Sequence, residues 1–209
     1  MVFDPFGDYE TLGYLRNAVG EKDLQKVKRL EHRSFLTQLP RASENLKSLE
    51  DITYQQLLDT HKQFFGPIYP WAGQDRSLTS PNRVIKKGPV EFCATSELRL
   101  ASNYALQLGR EPETMRTRPG YVMGQFAFAH PFLEGNGRTI LVIHTELARR
   151  AGFQIDWFKT NKADYLLALT EELETPGQKL DAYLKPFLVD LEPERSPVDS
   201  LGGLPGLNR

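Results

Sequence analysis

Nine consecutive residues in the second half of the chain bring together side chains that handle phosphate chemistry. Positions 130–138 read His-Pro-Phe-Leu-Glu-Gly-Asn-Gly-Arg. His130 carries the side chain whose unperturbed pKa lies nearest neutrality, so it can take a proton from a hydroxyl as that hydroxyl attacks. Glu134 can hold a divalent cation, and Arg138 offers a planar fork of donors for phosphate oxygens. Gly135 and Gly137 lack a Cβ, which lets the backbone amides between them approach an anion closely.

The segments on either side of this nonapeptide are predicted helices. The apolar spacing predicts one helix over residues 112–129, with a break at Pro119 and Gly120, and another over residues 138–151. The glycines then stand at the N-terminus of the second helix, where unsatisfied N–H groups and the helix dipole favour negative charge. The order of elements therefore predicts an anion site at this loop.

The rest of the chain is predicted to be helical apart from one hairpin. Pro40 should end the first helix, and Ser48 with Asp51 should form a capping box at the start of the second. Within residues 73–88, two extended stretches at 76–79 and 83–86 flank a Ser-Pro-Asn turn at 80–82 and predict a β-hairpin. The expected fold class is all-α, a helical bundle with one hairpin. The other predicted helices span residues 21–39, 49–65, 89–108, 162–173 and 180–189.

The overall composition disfavours several kinds of partner. Twenty-six basic and twenty-seven acidic residues give a net charge of −1, so nothing points to DNA, RNA or an anionic membrane surface. No apolar run is long enough to span a bilayer. The single Cys93 cannot form an internal disulfide, which fits a reducing compartment. We therefore predict a cytoplasmic protein without nucleic-acid or membrane partners, and delivery into a host cell stays open.

The nonapeptide resembles the signature of Fic-domain proteins, His-Pro-Phe-x-(Asp/Glu)-Gly-Asn-Gly-(Arg/Lys), at every specified position. A Tyr-Pro-Trp-Ala-Gly stretch at residues 69–73 and an Ala-Gly-Phe stretch at 151–153 are similar to the family as well. The resemblance divides the chain into three parts. These are an N-terminal helical extension packed on the core over residues 1–44, a Fic domain over residues 45–190 and a flexible tail or linker over residues 191–209.

The resemblance implies a Fic-fold helical bundle with a β-hairpin flap and the activity of a bacterial protein adenylyltransferase. Such an enzyme transfers AMP from ATP to a Ser, Thr or Tyr hydroxyl of a target protein. The resemblance makes His130 the catalytic base and Glu134 the ligand of a Mg²⁺ ion that bridges the α- and β-phosphates. It also implies that Arg138 stabilises the leaving pyrophosphate, in keeping with a reaction that needs positioning and charge stabilisation.

The same resemblance assigns the remaining nucleotide contacts and the target site. Asn136 and the amides beside Gly135 and Gly137 would hold the α-phosphate, and Tyr165 would line the adenine pocket. The flap, over residues 76–87, would bind an extended segment of the target by strand addition, in which backbone hydrogen bonds supply the affinity.

Two further sequence features concern the group that is transferred and the regulation of the activity. Doc-type kinases of the family carry Lys in place of the second glycine, so Gly137 favours adenylyl transfer. Many Fic proteins inhibit themselves with a helix that contains (Ser/Thr)-x-x-x-Glu-(Gly/Asn). Only Glu44 and Glu134 precede Asn or Gly in this chain, and neither has Ser or Thr four residues earlier. If control follows the family, a separate small antitoxin protein supplies the inhibitory glutamate.

Other interpretations of the signature differ in donor or in activity. The chain could transfer UMP or phosphocholine, or it could be a Fic-fold binding module without activity. A metal hydrolase with His130, Glu134 and His144 as ligands is disfavoured because Pro131 and the glycines break the helical face that such ligands need. We expect His144 to pack in the core and His61 to be a surface or packing residue.

Overall fold

The structure is a computed structural model that describes residues 15–81 and 83–191 of the 209-residue chain. The tail predicted at 191–209 lies outside the described residues except for Leu191, and so does part of the predicted N-terminal extension. None of the helices in the described ranges combines the length and the apolar character that a membrane span requires.

The described residues are mostly helical and include two small antiparallel strand pairs. The α-helices are α1 (Leu24–Ser48), α2 (Tyr54–Phe65), α3 (Arg76–Thr79), α4 (Leu98–Arg110), α5 (Pro112–Thr117), α6 (Pro119–Ala129), α7 (Asn136–Arg150), α8 (Lys162–Glu174) and α9 (Lys179–Leu184). Short 3-10 turns lie at Thr95–Glu97, Trp157–Lys159 and Lys185–Phe187. The strands are β1 (Lys86–Lys87), β2 (Val90–Glu91), β3 (Phe153–Ile155) and β4 (Leu188–Asp190).

Helix α6 lies at the centre of the bundle and contacts α4, α7, α8 and α9. Its residues are buried on nearly all sides, as expected for a helix surrounded by others. Gly120 lets α9 come close, because a Cβ there would lie 2.2 Å from the backbone nitrogen of Asp181. The Asp181 carboxylate accepts hydrogen bonds from the N–H groups of Gly120 at 2.6 Å and Tyr121 at 3.1 Å, and so caps the helix. These contacts fix the helix whose C-terminal end delivers His130.

The first helix is longer than predicted. Pro40 lies inside α1 with its ring exposed, so the expected stop at this residue is wrong. The helix continues because its second half buries Ala42 and Leu46 in the core, which outweighs the loss of one backbone hydrogen bond. The helix also runs through residues 44 and 45, where the extension was predicted to end. The division of the chain into three parts stays a prediction.

The start of the second helix was also misplaced. Helix α2 begins at Tyr54, and Thr53 forms the capping box with Gln56. Ser48 instead is the last residue of α1, where its hydroxyl donates to the carbonyl oxygen of Asn45 at 2.7 Å. The pattern of a capping box occurs twice within a few residues, and packing of the longer α1 decides which one is used.

The hairpin lies later in the chain than its turn signal indicated. Arg76–Thr79 was predicted as the first strand but forms helix α3, because the Asp75 side chain accepts a hydrogen bond from the N–H of Ser77 and caps it. The strands are β1 and β2, and Gly88 turns the chain between them with a φ of 58°. The helix predicted from residue 89 therefore begins only at Leu98.

The remaining predictions of secondary structure differ in outcome. The helix with a break at residues 119 and 120 is confirmed as α5 and α6, and the helices predicted at 138–151 and 162–173 correspond to α7 and α8. The helix predicted at 180–189 ends early as α9. The chain then forms β4, which pairs with β3 in the register Phe153↔Asp190, Gln154↔Val189 and Ile155↔Leu188. This long-range pair joins the end of the described chain to the segment after α7.

Candidate active site

The loop between α6 and α7 ends in a left-handed glycine. Gly135 has a φ of 82° and is the N-cap residue of α7, and it offers no capping side chain to the first turn of that helix. The N–H groups of a first helical turn have no partner within the helix. The loop therefore leaves backbone donors at the positive end of the α7 dipole, as the sequence predicted for an anion site.

Asn136 closes this loop with its side chain. Its carboxamide is buried, accepts from the N–H of Phe132 at 2.8 Å and donates to the carbonyl oxygen of Phe132 at 2.6 Å. The two bonds fold residues 132–136 into a rigid turn. They also mean that Asn136 can present its main chain to a phosphate while its side chain stays in the turn.

His130 is the residue at which α6 ends. Its φ of 42° and ψ of 56° place it in the left-handed region, where few residues other than glycine are found. The ring of Phe92 stacks on the imidazole with a centroid separation of 3.9 Å and an interplanar angle of 20°. Backbone and ring contacts together hold the imidazole in one orientation.

The imidazole of His130 is neutral at physiological pH. Burial lowers its pKa to about 3, and the nearby charges of Lys87 and Arg76 act in the same direction. A hydrogen bond between the imidazole and the backbone of Ala127 opposes part of this shift. A neutral imidazole retains a lone pair, so the residue predicted as the base is in the form that can accept a proton.

Arg138 lies in the first turn of α7 and is paired within the chain. Its guanidinium donates to the carboxylate of Glu31, a buried residue of α1, and lies over the ring of Phe65 at 4.6 Å from the ring centroid. The hydroxyl of Tyr69 donates to the other oxygen of Glu31. Burial raises the pKa of the Glu31 carboxyl, and the charge of Arg138 opposes that shift. Sequence reasoning missed Glu31 because the residues around it match no inhibitory motif.

His61 connects the loop to the core. Its Nδ1 accepts from the N–H of Gly73 at 2.9 Å, so Nε2 carries the proton and donates to the carbonyl oxygen of Glu134, also at 2.9 Å. The ring stacks on Phe132 at 3.7 Å with an interplanar angle of 12°. The prediction of a packing residue is confirmed, but its hydrogen bond to the residue before Gly135 could not be read from helical spacing.

The loop lies in a segment that matches a known protein family. The model of the Fic/DOC family matches residues 51–148, which run from just before α2 to near the end of α7 and include the whole loop. The chain contains a Fic/DOC family domain. Two of the residues that contact the loop from outside its own sequence, His61 and Arg76, lie within the matched range, whereas Glu31 precedes it.

The Fic/DOC domain has relatives named as adenylyltransferases. The chain is 28% identical over 201 residues to protein adenylyltransferase VbhT of Bartonella schoenbuchensis, covering 92% of this chain and 40% of VbhT. It is 29% identical over 188 residues to probable protein adenylyltransferase y4lH of Sinorhizobium fredii, covering 86% of each protein. The chain thus spans well under half the length of VbhT.

Solved structures share the fold of this domain. The crystal structure of the effector protein BepC of Bartonella tribocorum, with bound AMPPNP, superposes with a TM-score of 0.68 at 16% identity. The match covers 88% of this chain and 96% of that one. The fold predicted from the sequence, a Fic-fold helical bundle, is confirmed.

Glu134 is the residue of the Fic/DOC loop predicted to bind a metal ion. Its side chain is 45% exposed, and Oε1 accepts from the N–H of Gly135 at 2.9 Å while lying 3.7 Å from a nitrogen of Arg138. Within the described ranges, no group of three or more His, Cys, Asp or Glu residues could hold a metal ion. A single accessible carboxylate fits Mg²⁺, which proteins often bind with one or two carboxylates while substrate phosphates and water fill the other positions.

Tyr165 lies in an aromatic cluster of the Fic/DOC domain. Its ring meets that of Trp157 edge to face at 5.6 Å and that of Tyr183 at 6.4 Å. Trp157 is fully buried and belongs to the core. The placement of Tyr165 at an adenine ring stays a prediction.

The buried histidines predict a loss of stability in acid. Burial lowers the pKa of His61 to about 3 and that of His144 to about 4, from an ordinary value of 6.5. Below pH 6.5 these two histidines bind protons in the unfolded chain but not in the folded chain, so the free energy of unfolding should fall as the pH drops. The fall should approach about 1.4 kcal/mol per pH unit for each histidine until the pH nears the folded pKa.

Urea unfolding at pH 7.5, 6.0 and 5.0 measures this dependence, and His144→Asn serves as the comparison. The variant lacks one buried imidazole, so its stability should fall less steeply with acid than that of the wild type, by about one proton. Equal slopes for the two proteins would show that His144 is protonated in the folded state.

Proposed function

We propose that this chain is a protein adenylyltransferase that transfers AMP from ATP to a Ser, Thr or Tyr hydroxyl of a target protein and releases pyrophosphate. One observation carries the proposal. A neutral, fixed imidazole lies at one end of a nine-residue loop, and the unpaired donors of a helix N-terminus lie at the other. The names of VbhT and y4lH, and the AMPPNP bound to BepC, support the choice of nucleotide.

In this reaction His130 acts on the acceptor. The imidazole takes the proton of the target hydroxyl as that oxygen bonds to the α-phosphorus, and the bond from the α-phosphorus to the bridging oxygen of pyrophosphate breaks. Phe92 stacks on the ring and keeps water from solvating it on that side. The imidazolium then releases this proton to solvent before the next turnover, and its low pKa favours that release.

The start of α7 holds the donor. The amides beside Gly135 and Gly137 would receive the α-phosphate, and Arg138 would neutralise charge on the leaving pyrophosphate. Glu134 would hold Mg²⁺, which, when bound, supplies positive charge to the phosphates. The Glu31 carboxylate limits the directions in which the Arg138 guanidinium can point, so the arginine is oriented before a nucleotide arrives.

The β1–β2 hairpin would bind the target. In the described part of the chain β1 pairs with β2 alone, so its other edge can accept an extended segment. Lys86 and Lys87 are exposed on this strand, and Lys86 forms an ion pair with Glu91 at 2.7 Å. Control by a separate antitoxin, residence in the bacterial cytoplasm and delivery into a host cell stay predictions.

Isotope transfer tests this function. The purified chain is incubated with a cell lysate, Mg²⁺ and ATP labelled at either the α- or the γ-phosphate, and proteins are separated by electrophoresis. We expect label from the α position on at least one protein, and none from the γ position. Label from the γ position alone would identify a kinase and contradict the proposal.

Parallel reactions separate the other donors. Labelled UTP, CTP, GTP and CDP-choline replace ATP at the same concentration, and preferential transfer from UTP or CDP-choline would reassign the donor. If no donor labels any protein while Mg²⁺-AMPPNP binds, the chain is a binding module and the proposed activity is wrong.

A further inference from the structure

Arg76 is a buried arginine that contacts the candidate active site from outside its sequence. The residue is fully buried at the start of α3, and its acceptors are backbone carbonyl oxygens. Its Nε donates to the carbonyl oxygen of His130 at 2.7 Å, and its Nη2 donates to that of Cys93 at 2.8 Å. Its own backbone N–H donates to the carbonyl oxygen of Pro131 at 2.8 Å. Burying a charged side chain costs free energy, so a buried arginine is expected to have a specific role.

The contacts of Arg76 lie at the end of a helix. Helix α6 ends at Ala129, and the last carbonyl groups of a helix have no partner within it and carry the negative end of the dipole. A cation is favourable at this position. Because His130 is the residue that follows, the arginine also holds the two carbonyl groups at His130 and Pro131, one with its side chain and one with its backbone.

The conformation of His130 requires such support. A residue with a Cβ is disfavoured in the left-handed region and persists there only where its surroundings hold it. The direction of its Cα–Cβ bond, and with it that of the imidazole, depends on the peptide planes on either side. Arg76 fixes the carbonyl group of one of these planes directly.

A second contact links Arg76 to the ring that covers the imidazole. Phe92, which stacks on His130, is followed by Cys93, whose carbonyl group accepts from Arg76 and whose N–H donates to the carbonyl oxygen of Phe128 at 3.0 Å. Arg76 therefore ties together the backbone that carries the imidazole and the segment that carries its stacking partner.

We propose that Arg76 is a positioning residue that holds His130 in its left-handed conformation and so aims the imidazole at the acceptor hydroxyl. This role rests on the proposed transfer of AMP. As a positioning residue, Arg76 makes no contact with the nucleotide. Its loss should therefore lower the rate of transfer while the binding of nucleotide at the start of α7 is kept.

Two substitutions of Arg76 and one matched control test the role. Arg76→Met keeps much of the length of the side chain and removes every donor, whereas Arg76→Lys keeps the charge but cannot reach two carbonyl groups with a planar fork. The control is Arg150→Met. Arg150 likewise donates to carbonyl oxygens at the C-terminal end of a helix, those of Leu46 at 2.9 Å in the last turn of α1 and of Leu49 at 2.7 Å just after it.

Three quantities are measured at a temperature at which every variant is folded. They are the rate of AMP transfer to the acceptor found with the wild type, the Kd of Mg²⁺-AMPPNP by calorimetry, and the imidazole signals of ¹³C-labelled histidine by NMR. The chain has four histidines, and the signal of His130 is the one that disappears in His130→Ala. For both Arg76 variants we expect transfer to fall about tenfold to a hundredfold, a Kd within about twofold of the wild type, and a shifted or broadened His130 signal.

The outcomes separate positioning from general stability. Arg150→Met should lower the melting temperature but leave the rate, the Kd and the His130 signal unchanged. Unchanged transfer in a folded Arg76 variant would overturn the proposal. So would a Kd that weakens in proportion to the rate, or a failure of both variants to fold, because each result would assign Arg76 to the scaffold. If the wild type transfers no label, the proposed function has failed, and the His130 signal still decides whether Arg76 orients the imidazole.

Discussion

Replacing His130 with alanine should lower the rate of AMP transfer by at least about a hundredfold, the lower end of the contribution of a general base. The imidazole is neutral and fixed by Phe92, and alanine offers no atom that can take the proton of the acceptor. Alanine also carries a Cβ, so the backbone keeps the same left-handed requirement and the loop should keep its shape. The Kd of Mg²⁺-AMPPNP should stay within about twofold of the wild type, because the proposed phosphate site lies at the other end of the loop.

His144→Asn is the control for this substitution. His144 is fully buried in α7 and its Nε2 donates to the carbonyl oxygen of Pro119 at 2.8 Å, so the variant also loses a buried imidazole. Its transfer rate should match that of the wild type once stability is accounted for. A His130→Ala protein that retains more than about a tenth of the wild-type rate would show that another group, or water, accepts the proton.

Replacing Gly135 with alanine should damage the fold of the loop itself. A Cβ on Gly135 would lie 2.4 Å from Cε2 and 2.8 Å from Cζ of Phe65, whose ring is fully buried and cannot move aside. The φ of 82° adds the strain of a side chain in the left-handed region. Overpacking and strain together should cost about 2–4 kcal/mol, which corresponds to a fall in melting temperature of roughly 4–16 °C for a chain of this size. Transfer of AMP should be lost with the loop.

Gly137→Ala is the matched comparison within the same loop. A Cβ on Gly137 meets no atom within 4 Å, and the residue lies in the first turn of α7. Stability should therefore stay the same or rise by up to about 1 kcal/mol. If the backbone at Gly137 seats a phosphate closely, the Kd of Mg²⁺-AMPPNP should weaken although the protein is as stable as the wild type. Equal affinity in Gly137→Ala and wild type would place the phosphate elsewhere.

Local sequence signals predicted the elements that surround the loop. The break before α6 was found because Pro119 and Gly120 disrupt an apolar pattern that continues on both sides, and α7 and α8 were found from their spacing alone. These local signals gave wrong predictions where tertiary packing favoured a different helix end or a different turn. Pro40 lies inside α1 because the residues that follow it pack in the core. The hairpin turns at Gly88 and not at residues 80–82, where the turn was predicted.

The sequence by itself predicted the chemistry of the loop, and it matches the Fic/DOC family over residues 51–148. The nine residues from His130 to Arg138 are contiguous, so their types and spacing predict a base, a metal-binding carboxylate and an anion-binding helix start without any knowledge of the fold. Residue types and spacing say less about the roles of Asn136 and Tyr165. The side chain of Asn136 is committed to the backbone of Phe132, which only the closed turn reveals.

Only the tertiary structure decided what holds that loop in place. His61, Arg76 and Glu31 reach it across sequence separations of 73, 54 and 107 residues. His61 and Arg76 bind backbone carbonyl groups, which every residue possesses, so no pattern of residue types could reveal the pairing. Glu31 pairs with Arg138 because the packing of α1 against α7 brings a buried carboxylate to a partly buried guanidinium. Such contacts depend on the three-dimensional path of the chain. That path is set by the packing of the whole core and not by any local pattern of residues.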